Sequence, residues 1–142
     1  NFDAENSHVL AALIRKFHDA KMDKRDKIIL WGSGNPRREF VFCDDVADAS
    51  IFAMLNADKL DNTQHYNIGT GIDYSIKELA EMIAGIIGYE GEIQWDTTKP
   101  DGAPRKFLDS SKILNLGWNP SVSLKEGLIK TYKWYIENRR EW

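Results

Sequence analysis

Helical and strand-like runs take turns along this chain, and that alternation limits the possible folds more than any other feature of the sequence. Asn6 or Ser7 is placed to cap a helix whose apolar residues Val9, Leu10, Leu13, Ile14 and Phe17 recur at helical spacing. Residues 28–31, IILW, read as a buried strand, GSGNPRR as a turn, and REFVFC at 38–43 as a return to extended backbone. Asp44 or Asp45 then caps a helix with a wide apolar face, Val46, Ala49, Ile51, Phe52, Met54 and Leu55, expected to be buried on more than one side. HYNIGTG at 65–71 reads as a strand entering a glycine turn. Ser75 and Glu78 match the capping box of a helix that Gly88 ends. A strand EIQWD, a proline-stiffened loop TTKPDGAPRK, a short helix near SSKILNLG and a last helix from about Ser123 to Asn138 complete the series.

Strands alternating with helices place the chain in the α/β class as one unit over 1–142, with short strands and about five helices. The strands are few for a self-sufficient doubly wound sheet. No G-x-G-x-x-G opens a helix after a strand: GSGNPR leads into extended sequence, and GTG lacks the third glycine at the required spacing. The expectation is a lobe that stands apart from a Rossmann cofactor domain, which this stretch does not contain.

A net charge of -3 without blocks of like charge offers no footprint for nucleic acid or anionic lipid. The longest apolar runs fall far short of the ~20 residues that span a bilayer. The first residues carry no export signal, and Cys43 is the single cysteine, so no internal disulfide is available and a reducing cytoplasmic setting is expected. Cys43 itself reads as a small buried apolar residue. His8, His18 and His65 have no ligand-like spacing, so no metal is expected. The aromatics Tyr132, Trp134 and Tyr135, with Trp142 beyond them, read as packing.

Two stretches hold candidate binding chemistry. WGSGNPRREF packs an aromatic, two glycines and two arginines between strand-like segments, and arginine's planar fork suits phosphate oxygens. KPDGAPRK presents Lys99, Asp101, Arg105 and Lys106 on a stiffened loop. By composition alone, each reads first as a solvated turn or surface loop. His8, at the start of the first helix, is a candidate acid/base group because imidazole titrates near neutral pH.

Taken in order, NFDAENSHVLAALIRKFHDAK, ILWGSGNPRREFVFCDDVADAS, YNIGTGIDYSIKELA, KPDGAPRKFLD and LGW resemble the C-terminal part of the GDP-L-fucose synthase family, GDP-4-keto-6-deoxy-D-mannose 3,5-epimerase-4-reductases among the extended short-chain dehydrogenase/reductases. The likeness runs from Asn1 to about Asn138. It implies a C-terminal substrate-binding lobe, with a GDP-bound 4-keto sugar epimerised at C3 and C5 and reduced at C4 by NADPH to GDP-L-fucose. By the same resemblance, His8 is the acid/base histidine and lies against NADP(H), while Lys16, Trp31, Arg38, Asp101, Arg105 and Lys106 contact the nucleotide sugar, Arg38 at the diphosphate. The partner cysteine lies upstream of this stretch, and Cys43 does not match it. The glycine-rich cofactor loop and the Ser, Tyr and Lys set of the family have no counterpart here, so this stretch alone is expected to be inactive. The parent enzyme is expected to be a homodimer through helices that also lie outside it. A lobe of a related UDP- or dTDP-sugar epimerase or dehydratase, and a stand-alone GDP-sugar-binding module, are the alternatives. With a parent-sheet strand left without its neighbours, the purified stretch should expose apolar surface and associate. Light scattering showing a monomer that unfolds cooperatively and binds no hydrophobic dye would count against this.

Overall fold

The computed structural model describes Phe2 and residues 7–138. Helix α1, Val9–Met22, starts after His8, whose backbone carbonyl accepts a hydrogen bond from the Ala12 amide at 3.0 Å. The expected Ser7 cap is therefore displaced by one residue, and Asn6 lies outside the described residues. Strand β1, Lys27–Trp31, pairs in parallel with β4, Glu92–Asp96. Burial in β1 alternates: Ile28 and Leu30 face the core, whereas Ile29 and Trp31 are exposed. The sequence reading of a strand buried throughout is corrected here, because the protein covers this two-stranded sheet on one face.

Helix α3, Ile76–Ile87, is bounded as its sequence requires. The Glu78 amide donates to Ser75 Oγ at 3.1 Å, the Ser75 amide donates to Glu78 Oε2 at 2.7 Å, and Gly88 closes the helix at φ 73°. Its buried row Leu79, Ala80, Ile83, Ala84 and Ile87 meets Leu13, Ile14 and Phe17 of α1, and this contact with Ile28 and Leu30 forms the main core.

A second sheet has the order β3-β2-β5. In it β2, Arg37–Glu39, runs antiparallel to β3, Asp73–Ser75, and parallel to β5, Arg105–Lys106. The extended run expected to reach Cys43 stops at Glu39 as a strand, and Cys43 begins helix α2, Cys43–Leu55. Its N-cap is Phe42 rather than Asp44 or Asp45, both of which lie in the first turn, where carboxylates suit the helix dipole. Cys43 is exposed rather than buried, because it sits in that first turn outside both cores.

The wide apolar face of α2 is also not buried as expected. Only Asp45 and Ala49 are enclosed, and Met54 and Leu55 are each 78% exposed. Residues 65–70 form no strand, since a ladder needs a partner and none of the described residues supplies one. A small second core joins Ala49 to Ile113 of α4, Ser111–Asn115, and to Trp118, whose indole N–H donates to Asp48 at 3.0 Å. Helix α5, Leu124–Asn138, returns to the main core through Leu128 and Tyr135, so Tyr135 packs as read, while Trp134 is half-exposed and Trp142 is outside the described residues. None of the described helices is long and apolar enough to cross a membrane.

This division predicts unequal mutational sensitivity. Leu79→Ala, at a fully enclosed side chain, should destabilise by about 2–5 kcal/mol. Met54→Ala on the open face should change stability by roughly 0.5 kcal/mol or less in the same denaturant titration.

Candidate functional site

The short strand β2 sorts its side chains by the period of two. On one side, Arg37 Nε donates to Asp73 Oδ1 at 2.9 Å and its Nη2 donates to the Asp73 carbonyl at 2.8 Å. Asp73 Oδ2 accepts from Arg105 Nε, so a single carboxylate joins β2, β3 and the head of β5. The same side carries Glu39, whose Oε1 accepts the Thr70 amide at 2.7 Å and the Gly71 amide at 2.8 Å, and whose Oε2 accepts the Leu108 amide at 3.3 Å.

Arg38 is differently engaged. Its Nη1 donates to the Arg37 carbonyl at 2.7 Å and to the Ala103 carbonyl at 2.8 Å. No carboxylate pairs with this guanidinium among the described residues. Arg37 and Arg105 thus share a carboxylate partner in Asp73, whereas Arg38 is oriented by the neutral carbonyls of Arg37 and Ala103. Lys106 lies opposite the half-buried Arg38 in the β2/β5 register and is exposed. The Arg105 guanidinium also lies 4.3 Å from the Phe107 ring centroid. Arg105, expected to contact the nucleotide sugar, is therefore already paired with Asp73.

The loop holding Asp101 is fastened to the turn after β1. Asp101 Oδ1 accepts the Ser33 amide at 2.8 Å and Oδ2 accepts the Ser33 hydroxyl at 2.7 Å. Two glycines make the approach possible. Gly32 has φ 81°, and a Cβ there would collide with Asp101 Oδ1. Gly34 has φ 78°, and a Cβ there would stand 2.7 Å from the Trp95 ring.

Beside this junction is a cavity of about 770 Å³, lined by Lys16, Leu30, Trp31, Ile76 and Trp95, with Ser7 and Val9 at its edge on either side of His8. Lys16 Nζ donates to the Ile29 carbonyl at 3.2 Å, and burial lowers its pKa. Trp31 is 72% exposed, and Lys99 Nζ stands 5.7 Å from its ring centroid. His8 is exposed, and its side chain makes no capping hydrogen bond to α1.

Lys16 and Trp31 are therefore brought to one cavity, and Arg38, Asp101, Arg105 and Lys106 to the adjoining loop and sheet. Ser33, Glu39, Asp73 and Trp95 were not singled out from sequence. Ser33 and Glu39 sit inside motifs that were noticed. Asp73 has no local signal, since its partners are 36 and 32 positions away.

The pH response follows from the carboxylates. Hydrogen bonds from Arg105, then Arg37, hold Asp73 below the usual carboxylate range, and those from Ser33 do the same for Asp101. A depressed folded pKa means stability that is complete above the unfolded value of about 3.9 and is lost as pH falls through the lower folded value. Thermal denaturation from pH 6 downward should show the melting temperature falling below about pH 4. The fall should be shallower in Asp73→Asn, and an unchanged slope would remove Asp73 from this role.

Residues 1–69 match the model of the NAD dependent epimerase/dehydratase family. The chain is 51% identical over 138 residues to GDP-L-fucose synthase 1 of Arabidopsis thaliana, covering 97% of this chain and 42% of that protein. It is 48% identical over 145 residues to the GDP-L-fucose synthase of Escherichia coli strain K12, covering 98% of this chain and 45% of that one. Among solved structures, the GDP-mannoheptose C4 reductase from Campylobacter jejuni with NADP bound superposes with a TM-score of 0.82 at 38% identity, covering 96% of this chain and 48% of that chain. The chain thus spans less than half the length of the curated relatives it matches. It is similar to GDP-L-fucose synthases over nearly its whole length, and its first 69 residues match the NAD dependent epimerase/dehydratase family model.

Proposed function

We propose that this chain is the substrate-binding part of a GDP-L-fucose synthase, which converts GDP-4-keto-6-deoxy-D-mannose to GDP-L-fucose by epimerisation at C3 and C5 and NADPH-dependent reduction at C4. The observation that carries the reading is Arg38: a guanidinium with no carboxylate partner among the described residues, held by the Arg37 carbonyl and by the Ala103 carbonyl of the loop that Asp101 fastens to the turn after Trp31. The identity to synthases from a plant and a bacterium supports it.

In this reading Arg38 holds the diphosphate, with Lys106 contributing charge from the neighbouring strand. Trp31 lines the nucleotide-sugar pocket and Lys16, its ammonium resting on the Ile29 carbonyl, supplies a donor there. Asp101 and Arg105 belong to the loop that closes over the same region. His8 serves as the acid/base group: the C4 ketone acidifies the hydrogens on C3 and C5, and an imidazole can take and return such protons near neutral pH. The exposed His8 ring, free of any capping bond to α1, suits a group that must also lie against NADP(H). The cofactor, bound mainly by the remainder of the protein, supplies the hydride to C4.

The open face of α2, with Ile51, Met54 and Leu55, and the unladdered residues 65–70 are the surfaces that the remainder would cover. A cytoplasmic homodimer is the accompanying proposal for the complete enzyme.

The test is a titration of the complete protein with GDP, UDP and dTDP, followed by tryptophan fluorescence. GDP should give the tightest saturable response, and Arg38→Ala should weaken it by about tenfold or more. Unchanged GDP affinity in that variant would refute the diphosphate role, and a preference for UDP or dTDP would move the protein to another branch of the family.

A further inference from the structure

Resting on the reading above, we infer that Asp101 is a positioning residue: it latches the loop around residues 99–104 to Ser33 and thereby orients Arg38 toward the diphosphate. Both carboxylate oxygens of Asp101 are occupied within the protein, one by the Ser33 amide and one by the Ser33 hydroxyl, at 2.8 and 2.7 Å. Ser33 in turn is fixed, because its hydroxyl oxygen accepts the Asn35 amide at 3.1 Å. A carboxylate engaged through both oxygens by one residue is well arranged to hold two chain segments 68 positions apart.

The connection to Arg38 is short. Two residues beyond Asp101, the Ala103 carbonyl accepts from Arg38 Nη1 at 2.8 Å. Pro104, next along, gives its carbonyl to the Arg37 amide at 2.8 Å and so begins the β2/β5 pairing. Between them Gly102 lies so close to the guanidinium that a Cβ there would stand 3.3 Å from Arg38 Nη2. The loop is thus a strap with two fastenings, Ser33 at one end and the edge of β2 at the other, and the Arg38 fork rests against its middle. Releasing the Ser33 end frees the Ala103 carbonyl to drift, and the guanidinium with it. A planar donor fork is effective only when its plane is fixed, so the loss should fall on recognition of the diphosphate rather than of the base.

The glycine at position 32 belongs to the same device. Its positive φ and lack of a side chain leave room for Asp101 Oδ1 to reach the Ser33 amide, which ties the GSG turn and the KPDG loop together as one recognition element.

The experiment measures GDP and guanosine affinities by calorimetry in the complete protein, for the native sequence, Ser33→Ala, Asp101→Ala, the double variant and Asp101→Asn. Amide hydrogen exchange over residues 97–104 is followed in the same proteins without ligand. The expected result is that Asp101→Ala weakens GDP about tenfold and leaves guanosine nearly unchanged. Ser33→Ala should move in the same direction by a smaller factor, and the double variant should be no weaker than Asp101→Ala, since the two residues act as a pair. Asp101→Asn should recover most of the affinity, because its amide can still accept the Ser33 N–H and donate to the Ser33 hydroxyl. Exchange over 97–104 should accelerate in both single alanine variants.

Additive losses in the double variant would overturn the inference, as would parallel losses for guanosine or an Asp101→Asn variant as weak as Asp101→Ala. Unchanged exchange in Asp101→Ala would overturn the latch whatever the ligand result. A native protein that does not respond to GDP would sink the nucleotide reading itself, and with it the role of the latch in binding, a failure separate from that of the latch as a structural contact.

Discussion

The second sheet depends on one carboxylate. Strands β2 and β3 have three residues each and β5 has two, so the ladder by itself supplies few hydrogen bonds. Asp73 compensates by accepting from Arg37 on the central strand and from Arg105 on the far one, with its backbone carbonyl taking a further bond from Arg37. The pairing spans all three strands and determines which arginines have a carboxylate partner. Arg37 and Arg105 share Asp73, and Arg38, one step along the strand, is turned to the other side.

That side is where the rest of the site collects. The period of two sends Arg38 toward the Ala103 carbonyl, and the positive-φ glycines at 32 and 34 let the GSG turn approach both Asp101 and the Trp95 ring. Trp95 of β4 is in register with Leu30 on the core-facing side of the two-stranded sheet, and Trp31 ends β1 exposed, yet both border the same cavity. The cavity rests on the packing of α1 against α3, which places Lys16 in its lining while the neighbours Leu13, Ile14 and Phe17 are consumed by the core.

The apolar surface is unevenly distributed. Helix α3 buries a full face, but α2 encloses Asp45 and Ala49, packs Phe52 partly on the second core and leaves Val46, Ile51, Met54 and Leu55 open. Asp45 is enclosed despite its charge. Burial raises its pKa, yet the Ser121 hydroxyl and the amides of Ser121 and Val122 outweigh that and hold it below the usual range. The helix is therefore anchored at its start by polar contacts and further along by Ala49 and Phe52 on the small second core.

Local patterns made part of this structure legible from sequence. The capping box at Ser75 and Glu78, the left-handed Gly88, the helical spacing of Leu13, Ile14 and Phe17 and the strand at 92–96 all appear as read, because each is decided within a few residues by backbone geometry and side-chain period. The exposure of Cys43 and of the α2 face, the absence of a strand at 65–70 and the half-exposed β1 were misread, because burial and strand pairing depend on what lies opposite. The binding stretches were visible as clusters of arginine and glycine, and their resemblance to a nucleotide-sugar family named Lys16, Trp31 and Arg38. Which of three arginines stays free of a carboxylate, and that Asp101 is spent on Ser33, was decided only by tertiary structure. The physical reason is distance along the chain: charge pairing acts through space, and the partners that settle it lie 32 to 68 residues away.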